Sequence, residues 1–245
     1  GMVQFTPSYC SKRSGFVINQ LSGGGCEHMG NFPTFPVKGK LKMSPDNILN
    51  YRINISEEKG HAGYYEAKVQ EDIHAKLTVT ERTGMASYEY PADQQYGTVI
   101  IGGGISATPI EQAAIVITAP NKCEGYAEGG NFCGLRTPYK VYFVAEFDTD
   151  ALESGTWKRD ELKPNTTFAE GEYSGVYFTF DVNKKKNIQY KIGVSYVSVE
   201  NARENLKAEN SGWDFLQIQN QAESKWNHYL GKIEVEGNNP DRTTQ

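Results

Sequence analysis

The sequence predicts an all-β protein: a large antiparallel β-sandwich followed by a short helical segment at its C-terminal end. Three observations carry this. Apolar residues recur at every second position through residues 64–80, the period of a half-buried strand. Further strand-like runs follow down to residue 197, separated by Gly-, Pro- and Asn-containing turns and with no helical pattern between them. Aromatic residues make up 12% of the chain, including 15 Tyr, and Tyr- and Thr-rich segments favour strands.

The elements follow in order. Residues 1–60 read as strand-like pieces around the glycine-rich loop Leu21-Ser22-Gly23-Gly24-Gly25-Cys26, which suits neither a helix nor a central strand. Pro33 and Pro36 then hold the backbone extended. Tyr65, Ala67 and Val69 share one face of a strand, and Ile73, Ala75, Leu77 and Val79 share a face of the next, with Gln70-Glu71-Asp72 as the hairpin turn. Thr78, Thr80 and Arg82 are assigned to one strand face and Glu81 to the other. Thr98–Ile101 is a continuous apolar run that leaves the core at Gly102-Gly103-Gly104. More strands are expected at 114–118, 139–147, 175–181 and 187–197, with turns at Asn121-Lys122, Gly129-Gly130-Asn131 and Pro164-Asn165. Ser198 reads as the N-cap of a helix from Val199 to about Glu209. A second helix is expected from near Ser211, with Phe215, Ile218, Ala222, Trp226 and Leu230 on one face and Gly231 as its stop. These features divide the chain into a β-sandwich domain at 1–197 and a helical linker at 198–245.

Composition removes several functions. The net charge of -5 leaves no basic footprint for nucleic acid, and Lys184-Lys185-Lys186 between two asparagines reads as a solvated hairpin tip. No stretch approaches the roughly 20 apolar residues that span a bilayer. No signal peptide is read at the start, and the chain is expected to be a trimmed piece of a longer one. The four cysteines, Cys10, Cys26, Cys123 and Cys133, contain no CxxC pair, so no metal site is expected; disulfides are permitted in an oxidising compartment but not required.

No catalytic constellation stands out. Gly102-Gly103-Gly104 lacks both the G-x-G-x-x-G spacing and a following helix, and a tight turn is the better account. A glycosidase needs one protonated and one ionised carboxyl across the scissile bond. Glu146 and Asp148 share a strand face but sit two residues apart and read as a strand end. The candidate site is instead Ser22-Gly23-Gly24-Gly25-Cys26-Glu27-His28. Small residues there let a ligand approach backbone amides, with an acid and a base alongside; a plain crossing loop is the alternative.

Several stretches together resemble glycoside hydrolase family 92. Gly1-Met2-Val3-Gln4-Phe5-Thr6-Pro7 is similar to its opening "F-G-M-V-Q-x-x-P". Gly15-Phe16 through Leu21–Cys26, then Gly30-Asn31-Phe32-Pro33 and Pro36, is similar to "G-F-x-x-x-x-L-S-G-x-G-C … G-D-x-P-x-x-P". Ala62-Gly63-Tyr64-Tyr65, Leu77–Arg82 with Tyr90-Pro91, and Gly130-Asn131-Phe132-Cys133-Gly134 match further motifs in order. Val197-Ser198-Val199-Glu200-Asn201-Ala202 and the segment from Trp226 to Gly237 match the closing ones.

The resemblance implies a mutarotase-like supersandwich joined by linker helices to an (α/α)6 barrel. It implies a parent enzyme that is a secreted, periplasmic or cell-surface bacterial exo-α-mannosidase: calcium-dependent, inverting, of α-1,2 type, and acting on mannose-containing glycans. Catalytic residues and calcium ligands are expected outside this chain, on the C-terminal catalytic domain of the same polypeptide. The isolated chain is expected to be inactive, with Ser22, Gly23, Gly24, Gly25, Cys26, Glu27 and His28 forming part of the substrate-binding rim. That loop is expected at an exposed end of the sandwich, on the side of the helices. Two departures bear on specificity: Val17-Ile18-Asn19-Gln20 stands where relatives often carry "S-x-T-H" or "S-H-T-H", and Asn31 replaces an Asp. Cys26 and Cys133 both lie in motif-bearing glycine-rich loops; they are either disulfide partners or two separate buried thiols. A stand-alone carbohydrate-binding module and a purely structural sandwich are the competing functions.

Overall fold

A computed structural model describes residues 3–8, 15–21, 23–46 and 54–233. Its described strands form two stacked antiparallel sheets. They are β1 (Thr6–Pro7), β2 (Phe16–Val17), β3 (Thr34–Lys38), β4 (Ile55–His61), β5 (Tyr64–Val69), β6 (Ile73–Val79), β7 (Thr83–Glu89) and β8 (Tyr96–Gly102). Then follow β9 (Ile110–Ala119), β10 (Lys122–Phe132), β11 (Leu135–Phe147), β12 (Glu153–Lys158), β13 (Glu161–Pro164), β14 (Phe168–Glu170), β15 (Ser174–Asp181) and β16 (Asn187–Ser195). Two helices close the described chain, α1 (Val199–Glu209) and α2 (Phe215–Leu230).

One sheet has seven strands in the order β1-β2-β3-β8-β15-β12-β13, and the other has nine in the order β14-β9-β10-β11-β16-β7-β6-β5-β4. The core lies between them. Alternation places Tyr65, Ala67, Val69, Ile73, Ala75 and Leu77 inward, as expected. Phe16, Phe35, Tyr88, Phe147, Trp157 and Phe178 are among the largest fully buried side chains. Each large side chain removed from water contributes roughly 1.5–3 kcal/mol, which is how two open sheets become one body. The β5–β6 turn carries Gln70 and Glu71 at φ 49° and 77°, and tight hairpin turns use such left-handed residues to match strand twist.

Several local expectations need correction. Residues 80–82 are not strand. β6 ends at Val79, and Thr80 N donates to Thr83 O at 2.9 Å across a tight turn. Gly129-Gly130-Asn131 is not a turn but a bulge in β10, where the pairing register shifts. Gly130 has φ 137°, and any side chain there would strike the Thr137 carbonyl across the β10–β11 pair, so the glycines serve a close backbone approach. β12, β13 and β14 escaped notice because they are short: β13 and β14 have four and three residues, and in β12 Gly155, which lies under the Tyr177 ring, breaks the alternation. The second helix starts at Phe215 with Asp214 as its cap, not near Ser211. The lysine tip is engaged: Lys185 pairs with Asp148 at 2.7 Å, and Lys186 donates to the Pro91, Ala92 and Gln94 carbonyls.

Both helices lie against the nine-stranded sheet. Ser198 caps α1 by accepting from Asn201 N, as expected. α1 packs Ala202 and Leu206 on Val144 of β11, over Gly193 of β16. α2 buries Ile218 and Ala222 only, and Ala222 meets the turn at Gly63.

Candidate functional site

The glycine loop is the exposed crossing between β2 and β3. Gln20 and Met29 form an isolated bridge, and Leu21 N donates to His28 O at 3.4 Å to close the loop. Ser22 lies outside the described residues. Gly23 and Gly25 have φ 75° and 81°, conformations that side-chain-bearing residues rarely adopt. Gly24 is glycine for a different reason: a Cβ there would lie 3.2 Å from Phe132 Cζ. Gly23, Gly24, Gly25 and Glu27 are exposed, Cys26 is half-buried and His28 is buried.

Cys26 is disulfide-bonded to Cys133, with the Cα atoms 5.4 Å apart. Of the two readings the sequence left open, the bond is the one found. Cys133 sits in the exposed turn between β10 and β11 at φ 53°. Cys123 is buried in the core, where burial pushes its thiol well above the ordinary value.

Beneath the loop lies an aromatic and polar layer. The His28 ring packs against Phe132 and Tyr139, with centroids 5.2 and 5.4 Å away, and its Nδ1 has no hydrogen-bond partner. His28 therefore supports the loop from below, whereas Glu27 lies at the surface. The two departures from the family motifs meet in this layer. Asn19 Oδ1 accepts from Asn31 N at 2.8 Å, and Asn31 Oδ1 accepts from the Tyr139 hydroxyl at 2.9 Å. Burial pushes the Tyr139 phenol up to about 12, against the opposing pull of its bonds to Asn31 and Ser106. Asn19 Nδ2 donates to the Tyr196 hydroxyl at 3.2 Å, and that hydroxyl reaches Met29 Sδ at 3.7 Å. Tyr196 is three residues before α1, so the loop lies at the end of the sandwich where β16 hands over to the helices, as expected. Sequence reasoning missed Tyr139 and Tyr196 as partners of this loop. Phe132 and Cys133 were visible in their motif, but the contact joins positions over 100 apart in the chain.

The helices form a second feature. Glu209 of α1 accepts from Thr80 Oγ1 at 2.6 Å, from Arg82 N at 2.9 Å and from Arg82 Nε. Lys191 is nearly buried, and its Nζ donates to the Asn210 and Ser211 carbonyls at 3.0 and 3.2 Å beside the Trp213 ring. Burial lowers its pKa, with Glu146 pulling the other way. Glu146 also pairs with Lys122 at 3.0 Å, so it is a structural carboxylate at a strand end. A cleft of about 610 Å³ lies between Val3, the 79–81 turn and the two helices, with Trp226 and Tyr229 on its wall. Leu216, Trp226, Tyr229, Leu230 and Ile233 are exposed, so the apolar stripe of α2 is buried at Ile218 and Ala222 but not at Trp226 and Leu230. Among the described residues, no three His, Cys, Asp or Glu side chains converge as a cation site, and no helix is long and apolar enough to cross a membrane.

Comparison with known proteins supplies the context. The sequence profile of the glycosyl hydrolase family 92 N-terminal domain matches residues 4–195, and that of the family's catalytic domain matches residues 201–245. A protein described as an uncharacterized secreted glycosidase of Arthroderma benhamiae is 25% identical over 251 aligned residues, which cover 92% of this chain and 32% of that protein. The solved structure of a family 92 inverting mannosidase from Bacteroides thetaiotaomicron superposes with a TM-score of 0.83 at 23% identity, covering 98% of this chain and 33% of the other. A second α-mannosidase of that family and organism gives 0.84 at 23%, covering 97% and 36%. The chain spans about a third of the length of each of these relatives.

Proposed function

Because the chain belongs to glycoside hydrolase family 92 through a profile match over residues 4–195, we propose that it is the sandwich part of an exo-acting α-mannosidase and supplies one wall of the active site. The observation that carries this reading is the glycine loop 23–27. It is exposed, free of side-chain bulk at three successive positions, and held at the end of the sandwich where the chain enters the segment matching the catalytic-domain profile. Sites shared by two domains lie where the domains meet. Backbone amides at such a loop donate to sugar hydroxyls that a larger residue would screen.

In this reading the chemistry belongs to the remainder of the polypeptide. An inverting glycosidase sets an acid and a base about 6.5–9.5 Å apart across the bond. Glu146, Asp148 and Glu209 are engaged in ion pairs instead, so we assign none of them a catalytic role. Calcium, which the family resemblance implies for the parent enzyme, would take its ligands outside this chain. The exposed apolar face of α2 and its cleft are read as the seat of the catalytic domain. The α-1,2 preference and a secreted, periplasmic or cell-surface location belong to the same proposal; the secreted relative supports the location.

The test is Gly24→Val in the two-domain enzyme. Phe132 must yield by a few tenths of an ångström, which a half-exposed ring does at little cost, while the amide surface becomes screened. A fall in kcat/KM of about tenfold or more on an α-mannoside, with unfolding nearly unchanged, is expected. An unchanged kcat/KM would return the loop to a plain crossing. The chain alone should not hydrolyse an aryl α-mannoside.

A further inference from the structure

We propose that the Cys26–Cys133 bond is the positioning element of the glycine loop. It fixes the loop's height over the β10–β11 arm, and its reduction frees the loop while leaving the sandwich folded. The inference rests on reading that loop as part of a sugar site.

Three observations carry it. First, the bond joins two surface segments rather than core strands: Gly23, Gly24, Gly25 and Glu27 are exposed on one side, and Cys133, Gly134, Leu135 and Arg136 on the other. Second, the loop's base is secured without it. The Gln20–Met29 bridge, Gly30 N to Asn19 O at 2.6 Å and Ala107 N to Met29 O at 2.8 Å hold residues 19–20 and 29–30 to the body. Above that base, Cys26 ties the loop covalently to Cys133, and Gly24 lies against Phe132. Third, the partner end is a platform supported from below: Phe132 and Tyr139 pack on the buried His28 ring, and Tyr139 is anchored to Asn31. Through the bond, the loop takes its position from this platform. With the bond cut, glycines 23–25 lose their covalent restraint, and glycine is the residue least confined in φ.

The redox step balances with an external dithiol. Dithiothreitol gives two electrons and two protons and ends as its cyclic disulfide; the S–S bond breaks, and Cys26 and Cys133 become thiols. Cys123 takes no part, because it is buried in the core on β10.

The experiment has two arms. In this chain, amide exchange is followed with the bond intact and after dithiothreitol. Exchange at residues 23–28 should rise about tenfold or more, with β8, β15 and β16 unchanged. No local change, or exchange rising throughout the sandwich, would overturn the proposal. In the two-domain enzyme, the Cys26→Ser/Cys133→Ser double variant should raise KM for an α-mannoside about fivefold with kcat within about twofold. Reduced wild type should match it, and reoxidation should restore the original KM. A KM unmoved by both routes, in an enzyme that Gly24→Val does impair, would defeat the clamp and spare the sugar reading. A loop freed in the exchange arm, with Gly24→Val harmless, would defeat the sugar reading and spare the clamp.

Discussion

Gly193 is the place where a single methyl group should separate the helices from the sandwich. It lies on β16 with α1 directly above it. A Cβ at this position would sit 2.5 Å from Ala202 O, 2.8 Å from Leu206 Cβ and 3.2 Å from Leu206 N. Two of these three atoms are backbone, so no side-chain rotation relieves the contact. Carbon atoms pack at about 3.5–4.0 Å, so α1 must retreat by about 1 Å, and Ala202 and Leu206 lose contact with Val144. Overpacking of this kind costs about 1–3 kcal/mol. Taking about 2 kcal/mol, a chain of this size should lose roughly 4–8 °C in Tm. Gly212→Ala is the control, because a Cβ there meets nothing within 4 Å and the backbone is not left-handed. Thermal and urea unfolding of both variants, with amide exchange across α1, would measure the effect. Gly193→Ala as stable as Gly212→Ala, or exchange rising outside α1 first, would refute the reasoning.

Lys191→Met should destabilise the α1–α2 turn by about 1–3 kcal/mol, because it strands the Asn210 and Ser211 carbonyls that the ammonium satisfies; urea unfolding would measure it, and an unchanged midpoint would count against the assignment. Alkaline pH should also unfold the chain. Burial raises the phenols of Tyr88, Tyr90, Tyr139 and Tyr190 above their ordinary 10.0, so their contribution is complete below that pH. Above it, the unfolded chain releases protons that the folded chain retains, and stability falls as pH rises. Equilibrium unfolding between about pH 8 and 11 should show this loss, and Tyr139→Phe should lessen it by removing one of these phenols.

The β5–β6 hairpin, the β8 run and the cap at Ser198 were legible because each depends on neighbours in sequence. The 80–82 turn was not. Its "T-E-R" pattern continues a strand alternation, and it bends because Glu209, over 120 residues later, binds Arg82 and the Thr80 hydroxyl. Gly129-Gly130 misled for a related reason: glycines that make room for an adjacent backbone look the same in sequence as glycines that turn. The loop at 22–28 was legible from its glycines and motif. Its setting was not, because the layer of His28, Asn31, Tyr139 and Tyr196 is assembled from three separate parts of the chain. The exposed Trp226 and Leu230 show the limit of periodicity, which marks an apolar stripe but not what covers it.

The clasp between α1 and the sandwich bears on where this protein can be divided. Sequence profiles place the seam between residues 195 and 201, just as α1 begins. A cut there would remove the atoms that Lys191 and Arg82 bind and would expose Val144 to water. Chimeras that exchange catalytic domains among relatives should therefore carry α1 and α2 with the sandwich, so that the graft is made through exposed helix and leaves these buried contacts intact.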